Sequence, residues 1–154
     1  MKLLCDQMLG SLAKWLRILG FDTFYATCEM TDKDILRIAK NEGRVLLSRD
    51  KQLIQRGKKE QLPHIAIQTT NLDEQLQTVL NRVSFNESSI LSRCTVCNTA
   101  LESIEKHVIK DKVPPSIFEQ HDTFWFCRSC ARVYWMGTHY ENMKNKLQIL
   151  KKKN

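Results

Sequence analysis

The chain has 154 residues, of which 42% are hydrophobic and 27% are charged, with five glycines and three prolines. This composition indicates one ordinary globular domain or two small ones and excludes a disordered chain. No apolar run approaches the about 18 residues that a membrane helix needs. The N-terminal segment turns polar at Asp6 before an apolar signal-peptide core could form. We therefore expect a cytoplasmic protein without a membrane partner.

The net charge is +7, from 24 basic and 17 acidic residues. A basic excess of this size permits nucleic-acid binding without requiring it. The six cysteines are not evidence for disulfides in a cytoplasmic protein. Four of them fall into two pairs, whereas Cys5 and Cys28 stand alone in apolar surroundings.

Residues 1–85 alternate between short apolar runs and amphipathic segments with a helical repeat. Gly20 and Gly43 are expected to end the first two helices, because glycine favours the left-handed conformation that follows many helices. The alternation predicts an α/β domain in which helices flank a parallel sheet. Strands are predicted at residues 2–5, 23–26, 45–47 and 65–67, and helices at residues 7–19, 32–42, 50–56 and 72–83.

The pattern changes after residue 85. Residues 86–91 are predicted as a polar linker, and residues 92–154 as a second, smaller domain. This second part carries short strand patterns at 124–126 and 133–135 and a helical pattern over 139–150. The short strands leave little apolar surface for a core of their own, so another source of stability is expected there.

Four cysteines form two Cys-x-x-Cys pairs, Cys94 with Cys97 and Cys127 with Cys130. Each pair can bring two thiolates to one ion, and two pairs complete a closed tetrahedral site with no position for water. The spacing therefore predicts a zinc ribbon with a structural zinc ion, which this small domain needs in order to fold. A redox role would not require two copies of the pair.

The residue that follows each cysteine pair is expected in the left-handed backbone conformation typical of such turns. Asn98, after the first pair, suits this conformation, whereas Ala131, after the second pair, tolerates it less well. The geometry of the second turn is therefore expected to be the less favourable of the two.

Three aspartates are predicted to meet at one edge of the sheet. Asp6 and Asp50 follow the first and third predicted strands, and Asp32 opens the helix that leads into the third strand. These positions share the edge at which open α/β sheets bind their ligands. Clustered carboxylates favour a hard cation such as Mg²⁺ or Mn²⁺, which can activate water for phosphodiester hydrolysis. Asp34 is the weaker candidate for a fourth acid.

A structural interpretation of the same acids stays open at this point. Aspartate at the N-terminus of a helix is a common cap, because its carboxylate accepts hydrogen bonds from unpaired backbone amides and complements the helix dipole. Capping alone can account for all three acids without catalysis.

The stretch from Asp32 to Asp50, with Gly43 between them and Ser48-Arg49-Asp50 at its end, resembles the acidic helix and following strand of PIN-like ribonucleases. Over nearly the whole chain, the sequence resembles the Mut-seven C-terminal RNase family, in which a PIN-like domain precedes a zinc ribbon. The segments that carry this resemblance are DQMLGSLAKWLRILGFDT, the Ser-Arg-Asp segment, the two cysteine pairs and FWFCRSCARVYWMGTHY.

The resemblance implies a ribonuclease with two kinds of metal site. Asp6, Asp32 and Asp50 match the family's catalytic metal-binding acids. Ser48 stands where threonine is usual and keeps the hydroxyl group, and no further acid follows Asp50 directly. The positions that match the family's zinc ligands are Cys94, Cys97, Cys127 and Cys130.

Several basic and aromatic residues are candidates for contact with RNA. Lys14 and Arg17 lie off the apolar stripe of the first predicted helix, and Arg49 adjoins Asp50, so all three could hold RNA phosphates. The alternative for Lys14 and Arg17 is that they belong to an ordinary solvated face of this helix. The aromatic residues that could stack on bases, or form the core of the ribbon instead, are Trp125, Tyr134 and Trp135.

Together these observations predict a PIN-like nuclease domain with a zinc ribbon, acting as a Mg²⁺- or Mn²⁺-dependent ribonuclease on single-stranded RNA. Two alternatives stay open, a non-catalytic RNA-binding module and a scaffold whose ribbon docks a protein partner. The sequence leaves undecided whether one or two catalytic metals bind, whether cleavage is endo- or exonucleolytic, and which oligomeric state the protein adopts.

Overall fold

The computed structural model describes residues 1–152, except for the side chains of His139 and of residues 150–152. The last two residues of the predicted second domain lie outside the described residues. None of the helices in the described part of the chain is long and apolar enough to cross a membrane.

The first half of the chain forms a four-stranded sheet in the order β2-β1-β3-β4, and every pair of neighbours is parallel. From β1 the chain continues to β2 on one side of β1, and it then crosses to β3 on the other side. The boundary between β1 and β3 is therefore a topological switch point, the place at which α/β sheets open a crevice. The strands are β1 (Lys2–Cys5), β2 (Asp22–Tyr25), β3 (Val45–Ser48) and β4 (His64–Ala66).

Helices cover both faces of this sheet. Alternate residues of β1 point to opposite sides, so that Leu3 and Cys5 pack against α1 and α4 while Leu4 packs against α2 and α3. Because helices cover both faces of the sheet, the strands have continuous apolar sequences. The helices are α1 (Gly10–Ile18), α2 (Asp32–Glu42), α3 (Lys51–Lys59) and α4 (Leu72–Leu80).

The predicted alternation of strands and helices is confirmed, with element ends that differ by a few residues. Gly20 and Gly43 follow α1 and α2 with φ of 88° and 62°, as expected for residues that end a helix. Thr31 caps α2 through its hydroxyl group, and Asp50 caps α3 through its carboxylate. Local capping chemistry therefore sets where these helices begin and end.

The second half contains an antiparallel sheet in the order β5-β6-β7. Its core is small and centres on Phe124, Ile109 and Val113. A 3-10 helix (Lys106–Ile109) and α5 (Pro115–Gln120) lie between β5 and β6, where the sequence predicted no element. The strands are β5 (Glu102–Ile104), β6 (Phe124–Cys127) and β7 (Arg132–Trp135).

The two halves share a hydrophobic core. The last helix, α6 (Thr138–Lys152), returns to the parallel sheet and buries Met143 and Leu147 among residues of α1 and α4. The segment 86–91, predicted as a polar linker, also buries Ile90 and Leu91, and the Leu91 amide donates to the Ile18 carbonyl at 2.9 Å. The halves are therefore packed together, which the composition of the segment did not predict.

Candidate active site and zinc centre

The four cysteines converge on one point. Their sulfur atoms all lie within 4.8 Å of one another, and Cys97 Sγ is 3.4 Å from Cys127 Sγ. The residues after the two pairs, Asn98 and Ala131, adopt φ of 68° and 52°, the left-handed conformation expected of such turns. Four thiol groups at this spacing are the donor set that zinc prefers in closed sites, so the cluster can hold a zinc ion.

Hydrogen bonds within the cluster shift the proton affinity of its thiols. Burial raises the pKa of Cys97, but hydrogen bonds from Thr99 and neighbouring thiols outweigh it and lower the pKa to about 6. Hydrogen bonding to Cys97 raises the pKa of Cys130 to about 12. Hydrogen bonds also outweigh burial and lower the pKa of Cys94, so the favoured thiolates of the metal-free cluster are Cys94 and Cys97, and zinc binding would displace the remaining thiol protons.

Tyr134, on β7, contacts the first cysteine turn, which is formed by residues 94–98. Its hydroxyl oxygen lies 3.1 Å from Cys94 Sγ and accepts a hydrogen bond from the Thr95 amide at 3.2 Å. The tyrosine ring is thereby held beside the cluster with its hydroxyl group in use. Outer hydrogen bonds of this kind orient metal ligands, so Tyr134 supports the geometry of the candidate zinc centre.

Asp6 and Asp50 lie at the switch point, at the ends of neighbouring strands. The Ser48 hydroxyl group donates to Asp6 Oδ2 and accepts a hydrogen bond from the Asp50 amide at 2.9 Å. Asp6 is almost fully buried and also accepts from the amides of Met8, at 2.9 Å, and Arg49, at 3.2 Å. Ser48 therefore links the ends of β1 and β3 and holds the Asp6 carboxylate in one orientation.

Asp50 and Asp32 each use one carboxylate oxygen. Asp50 Oδ1 accepts from the backbone amides of Gln52 and Leu53, at 2.7 and 3.3 Å, at the start of α3. Asp32 Oδ2 forms an ion pair of 3.0 Å with Arg56 Nη1. Among the side chains that the structure describes, Asp50 Oδ2 and Asp32 Oδ1 have no hydrogen bond or ion pair, so each acid keeps one oxygen for a ligand.

The three acids supply the right donors for a hard cation without forming a closed site. Within the described residues, the cysteine cluster is the one group of three or more metal-ligating side chains that converges closely enough to hold an ion. Carboxylate oxygens suit Mg²⁺ or Mn²⁺, and such ions commonly keep several water ligands. The joint binding of an ion by Asp6, Asp32 and Asp50 stays a prediction, since Asp6 is buried with both oxygens hydrogen-bonded and Asp32 is paired with Arg56.

Asp34 acts as part of a helix cap. Its carboxylate accepts from the Thr31 amide and hydroxyl group at 3.1 and 2.7 Å, and it pairs with Arg37 at 3.0 Å. The hydrogen bonds from Thr31 lower the pKa of Asp34. Capping and the ion pair thus account for Asp34, and we do not assign it a place among the candidate metal ligands.

The predicted RNA-contacting residues differ in their surroundings. Lys14 is exposed on α1, and Arg49 is half-buried beside Asp50. The expectation that Arg17 lies on an exposed face is wrong, because the first cysteine turn covers it. Its Nε donates to the Thr23 carbonyl at 2.9 Å and its Nη1 to the Val96 carbonyl at 2.7 Å. Arg17 therefore holds the turn against α1 rather than facing solvent.

Two residues of the candidate site carried no predicted role of their own. The family resemblance singled out Ser48 only as a substitute for threonine, although a hydroxyl group at the end of a buried strand, two residues before an acid, could have indicated the link to Asp6. Arg56 gave no signal, because an arginine on an exposed helix face is ordinary. Its pairing with Asp32 depends on how α2 and α3 lie side by side.

The comparisons with known proteins give one match. The family described as the Mut7-C RNAse domain matches residues 1–147, nearly the whole chain and both halves of the fold. No curated protein and no solved structure matches the chain. The family match is therefore the evidence that connects this fold to a ribonuclease.

Proposed function

We propose, since the chain belongs to the Mut7-C RNAse domain family, that it is a metal-dependent ribonuclease acting on single-stranded RNA. The catalytic residues of this proposal are Asp6, Asp32 and Asp50, at the carboxyl ends of β1 and β3 and the start of α2. One observation carries it: Ser48 joins the Asp6 carboxylate to the Asp50 amide at the switch point, and the hydrogen bonds described for the Asp50 carboxylate use only Oδ1.

Hydrogen bonds within the protein hold Asp6 and Asp50 in fixed orientations at this edge of the sheet. Ser48 and two backbone amides fix Asp6, while the first turn of α3 fixes Asp50. A Mg²⁺ or Mn²⁺ ion bound by the carboxylates would supply a more acidic water molecule and neutralise charge on the phosphate. Lys14 and Arg49 would hold the phosphates of the RNA on either side.

The ion pair between Asp32 and Arg56 is weak enough to open. Both side chains are substantially exposed, at 56% for Arg56 and 34% for Asp32. Such pairs contribute about 1 kcal/mol or less. Separation from Arg56 therefore costs little compared with what an acid gains from a divalent cation, and it leaves Arg56 free to meet an RNA phosphate.

The zinc ion of this proposal is structural. Four cysteines fill a tetrahedral site, so no coordination position is left for a reacting water molecule. The ion would stabilise the small antiparallel sheet and the turn that Arg17 and Tyr134 contact.

The decisive experiment compares Asp50→Asn with wild type in a Mn²⁺-dependent cleavage assay on a labelled RNA of defined sequence. Asparagine caps helices as well as aspartate does, so α3 should keep its start. We expect cleavage to fall by about 100-fold or more, because the substitution removes a charged metal ligand. Asp34→Asn makes the same change at another cap and should cleave like wild type. Full activity of Asp50→Asn would refute the proposal.

A non-catalytic RNA-binding module is the second candidate, because Asp6, Asp32 and Asp50 each have a structural partner. This alternative predicts that the wild-type protein binds RNA in a salt-dependent way. It also predicts that Mn²⁺ produces no cleavage. The same assay, run with a binding measurement on the wild-type protein, separates the two functions.

A further inference from the structure

A cavity of about 660 Å³ lies between α1 and the second half of the chain. Its walls come from α1, α5, β7 and the start of α6. The volume is within the range of about 300–1,000 Å³ that is typical of small-ligand sites. The cavity is distinct from the acidic edge, since none of the three site acids lines it.

Aromatic rings make up much of the wall. Trp15 comes from α1, Tyr134 and Trp135 come from β7, and Tyr140 comes from α6; all four are half-buried. Tyr134 is fixed through its hydroxyl group to the first cysteine turn. Rings that are held in place and only partly covered offer flat apolar surfaces on which a planar group can stack.

The charge of the cavity favours an anionic ligand. No aspartate or glutamate is among the residues that line it, and Lys14 stands exposed at its α1 wall. A second, smaller pocket of about 340 Å³ shares Tyr134 with the cavity and adds two exposed cations, Lys112 and Arg132. Thr95, Val133 and Tyr134 line both, so the aromatic cavity adjoins the basic pocket.

We infer that this paired site binds a nucleotide of single-stranded RNA, with the base in the aromatic cavity and an adjoining phosphate on Lys112 and Arg132. Aromatic stacking surfaces beside cations are the combination that single-stranded nucleic acids require. Lys14 lies about one helical turn from the start of α1, which itself begins shortly after Asp6. The inference rests on the proposed ribonuclease and gives its substrate a second contact surface, on the zinc-bearing half.

Binding is tested with the full chain, loaded with zinc and without Mg²⁺ or Mn²⁺, by fluorescence anisotropy of a labelled single-stranded RNA of about ten nucleotides. The double variant Lys112→Glu/Arg132→Glu should bind at least about tenfold more weakly. The control, Lys33→Glu/Arg37→Glu, changes charge equally on exposed positions of α2 and should lose much less affinity. Equal losses in the two variants would overturn the phosphate contact.

The aromatic contact is tested without substitution, because Trp135 also packs against the small core. RNA containing 4-thiouridine is cross-linked to the wild-type protein by light, and the attached peptides are identified by mass spectrometry. We expect adducts at Trp135, Tyr134 or Trp15. Adducts confined to other regions would overturn the base-binding role, and so would the absence of RNA binding, which would leave the cavity for a protein partner.

These tests do not depend on cleavage. If the wild-type protein cleaves RNA but the adducts avoid the cavity, the inference fails and the proposed ribonuclease stands. If the adducts map to the cavity but Mn²⁺ produces no cleavage, the proposed catalysis fails and the cavity is an RNA-binding site.

Discussion

Asn98, the residue after the first cysteine pair, accepts a hydrogen bond of 2.9 Å through its side chain from the backbone amide of Thr23 on β2. Its Nδ2 also donates to Asp22 Oδ1 at 2.8 Å. Because β2 is an edge strand, this contact satisfies an amide that the sheet leaves unpaired. The cysteine turn thus covers the open edge of the parallel sheet, and Arg17 holds the turn from α1.

Replacement of Asn98 by glycine tests this contact. Asn98→Gly keeps the left-handed backbone but removes both hydrogen bonds, so we expect the free energy of unfolding of the zinc-loaded protein to fall by about 1–3 kcal/mol. Ala131→Gly is the matched control in the second cysteine turn. It relieves left-handed strain and should raise stability by up to about 1 kcal/mol. Urea denaturation measures both, and similar effects of the two substitutions would contradict the docking role.

Removal of zinc should weaken the contact between the first cysteine turn and the parallel sheet. Without the ion the first cysteine turn loses its geometry, and Asn98 no longer protects the Thr23 amide. We expect hydrogen exchange at Thr23, followed by NMR, to accelerate by about tenfold or more after chelation. The Leu46 amide, which donates to Pro63 inside the sheet at 2.9 Å, serves as the control and should change little. Unchanged exchange at Thr23 would show that docking is independent of the metal.

Two glycines with positive φ should respond differently to alanine. At Gly20 a Cβ would overlap the backbone of Ser89, whereas at Gly43 it would meet no atom within 4 Å. Gly43→Ala should therefore cost only the conformational strain of about 1 kcal/mol. Gly20→Ala should cost more than about 2 kcal/mol, because the 86–91 segment must also move. Thermal denaturation compares the stability of the two variants. Equal losses of stability would show that the 86–91 segment can move at little cost in free energy.

Ser48 offers a test of the link between the two strand-end acids. Ser48→Ala removes one of the three donors to Asp6 and leaves the Asp50 amide without its acceptor, so we expect a loss of about 1–3 kcal/mol in stability. RNA cleavage should fall as well, because only two backbone amides then orient the Asp6 carboxylate. Ser48→Thr retains the hydroxyl group and should keep most of the activity. If Ser48→Ala cleaves as well as Ser48→Thr, the hydroxyl link has no part in the reaction.

Release of Asp32 from its ion pair should favour metal binding. Arg56→Ala should change stability by less than about 0.5 kcal/mol, since the pair is exposed. It should lower the Mn²⁺ concentration that gives half-maximal cleavage, because Arg56 no longer competes for the carboxylate. Arg37→Ala removes the similar partner of Asp34 and should leave this concentration unchanged. A higher Mn²⁺ requirement in Arg56→Ala would argue against Asp32 as a ligand.

The parallel sheet could be predicted because its signals are local. Val45–Ser48 is a buried apolar strand, and Gly43 ends the helix before it, so the order of elements follows from short stretches of sequence. The elements between β5 and β6 could not be predicted in this way. The 3-10 helix at Lys106–Ile109 and the six-residue α5 are too short to show a helical period, and they form around the buried ring of Phe124.

The site was predictable in position but not in its contacts. Topology alone brings Asp6 and Asp50 to one edge, whereas the pairing of Asp32 with Arg56 depends on the arrangement of two helices. Arg17 shows that hydrophobic periodicity cannot predict the burial of a polar side chain. Its side chain lies off the apolar stripe of α1, yet carbonyl groups of the cysteine turn bury it, and a polar interface leaves no mark on the hydrophobic pattern.

The return of α6 to the first half has a consequence for biosynthesis. Met143 and Leu147 complete the core around α1 and α4, although more than half of the chain lies between them and α1. While the protein emerges from the ribosome, that core therefore stays open until the cysteine-bearing segment has been translated. The α/β half of the nascent chain thus completes its core only together with the part of the polypeptide that can bind zinc.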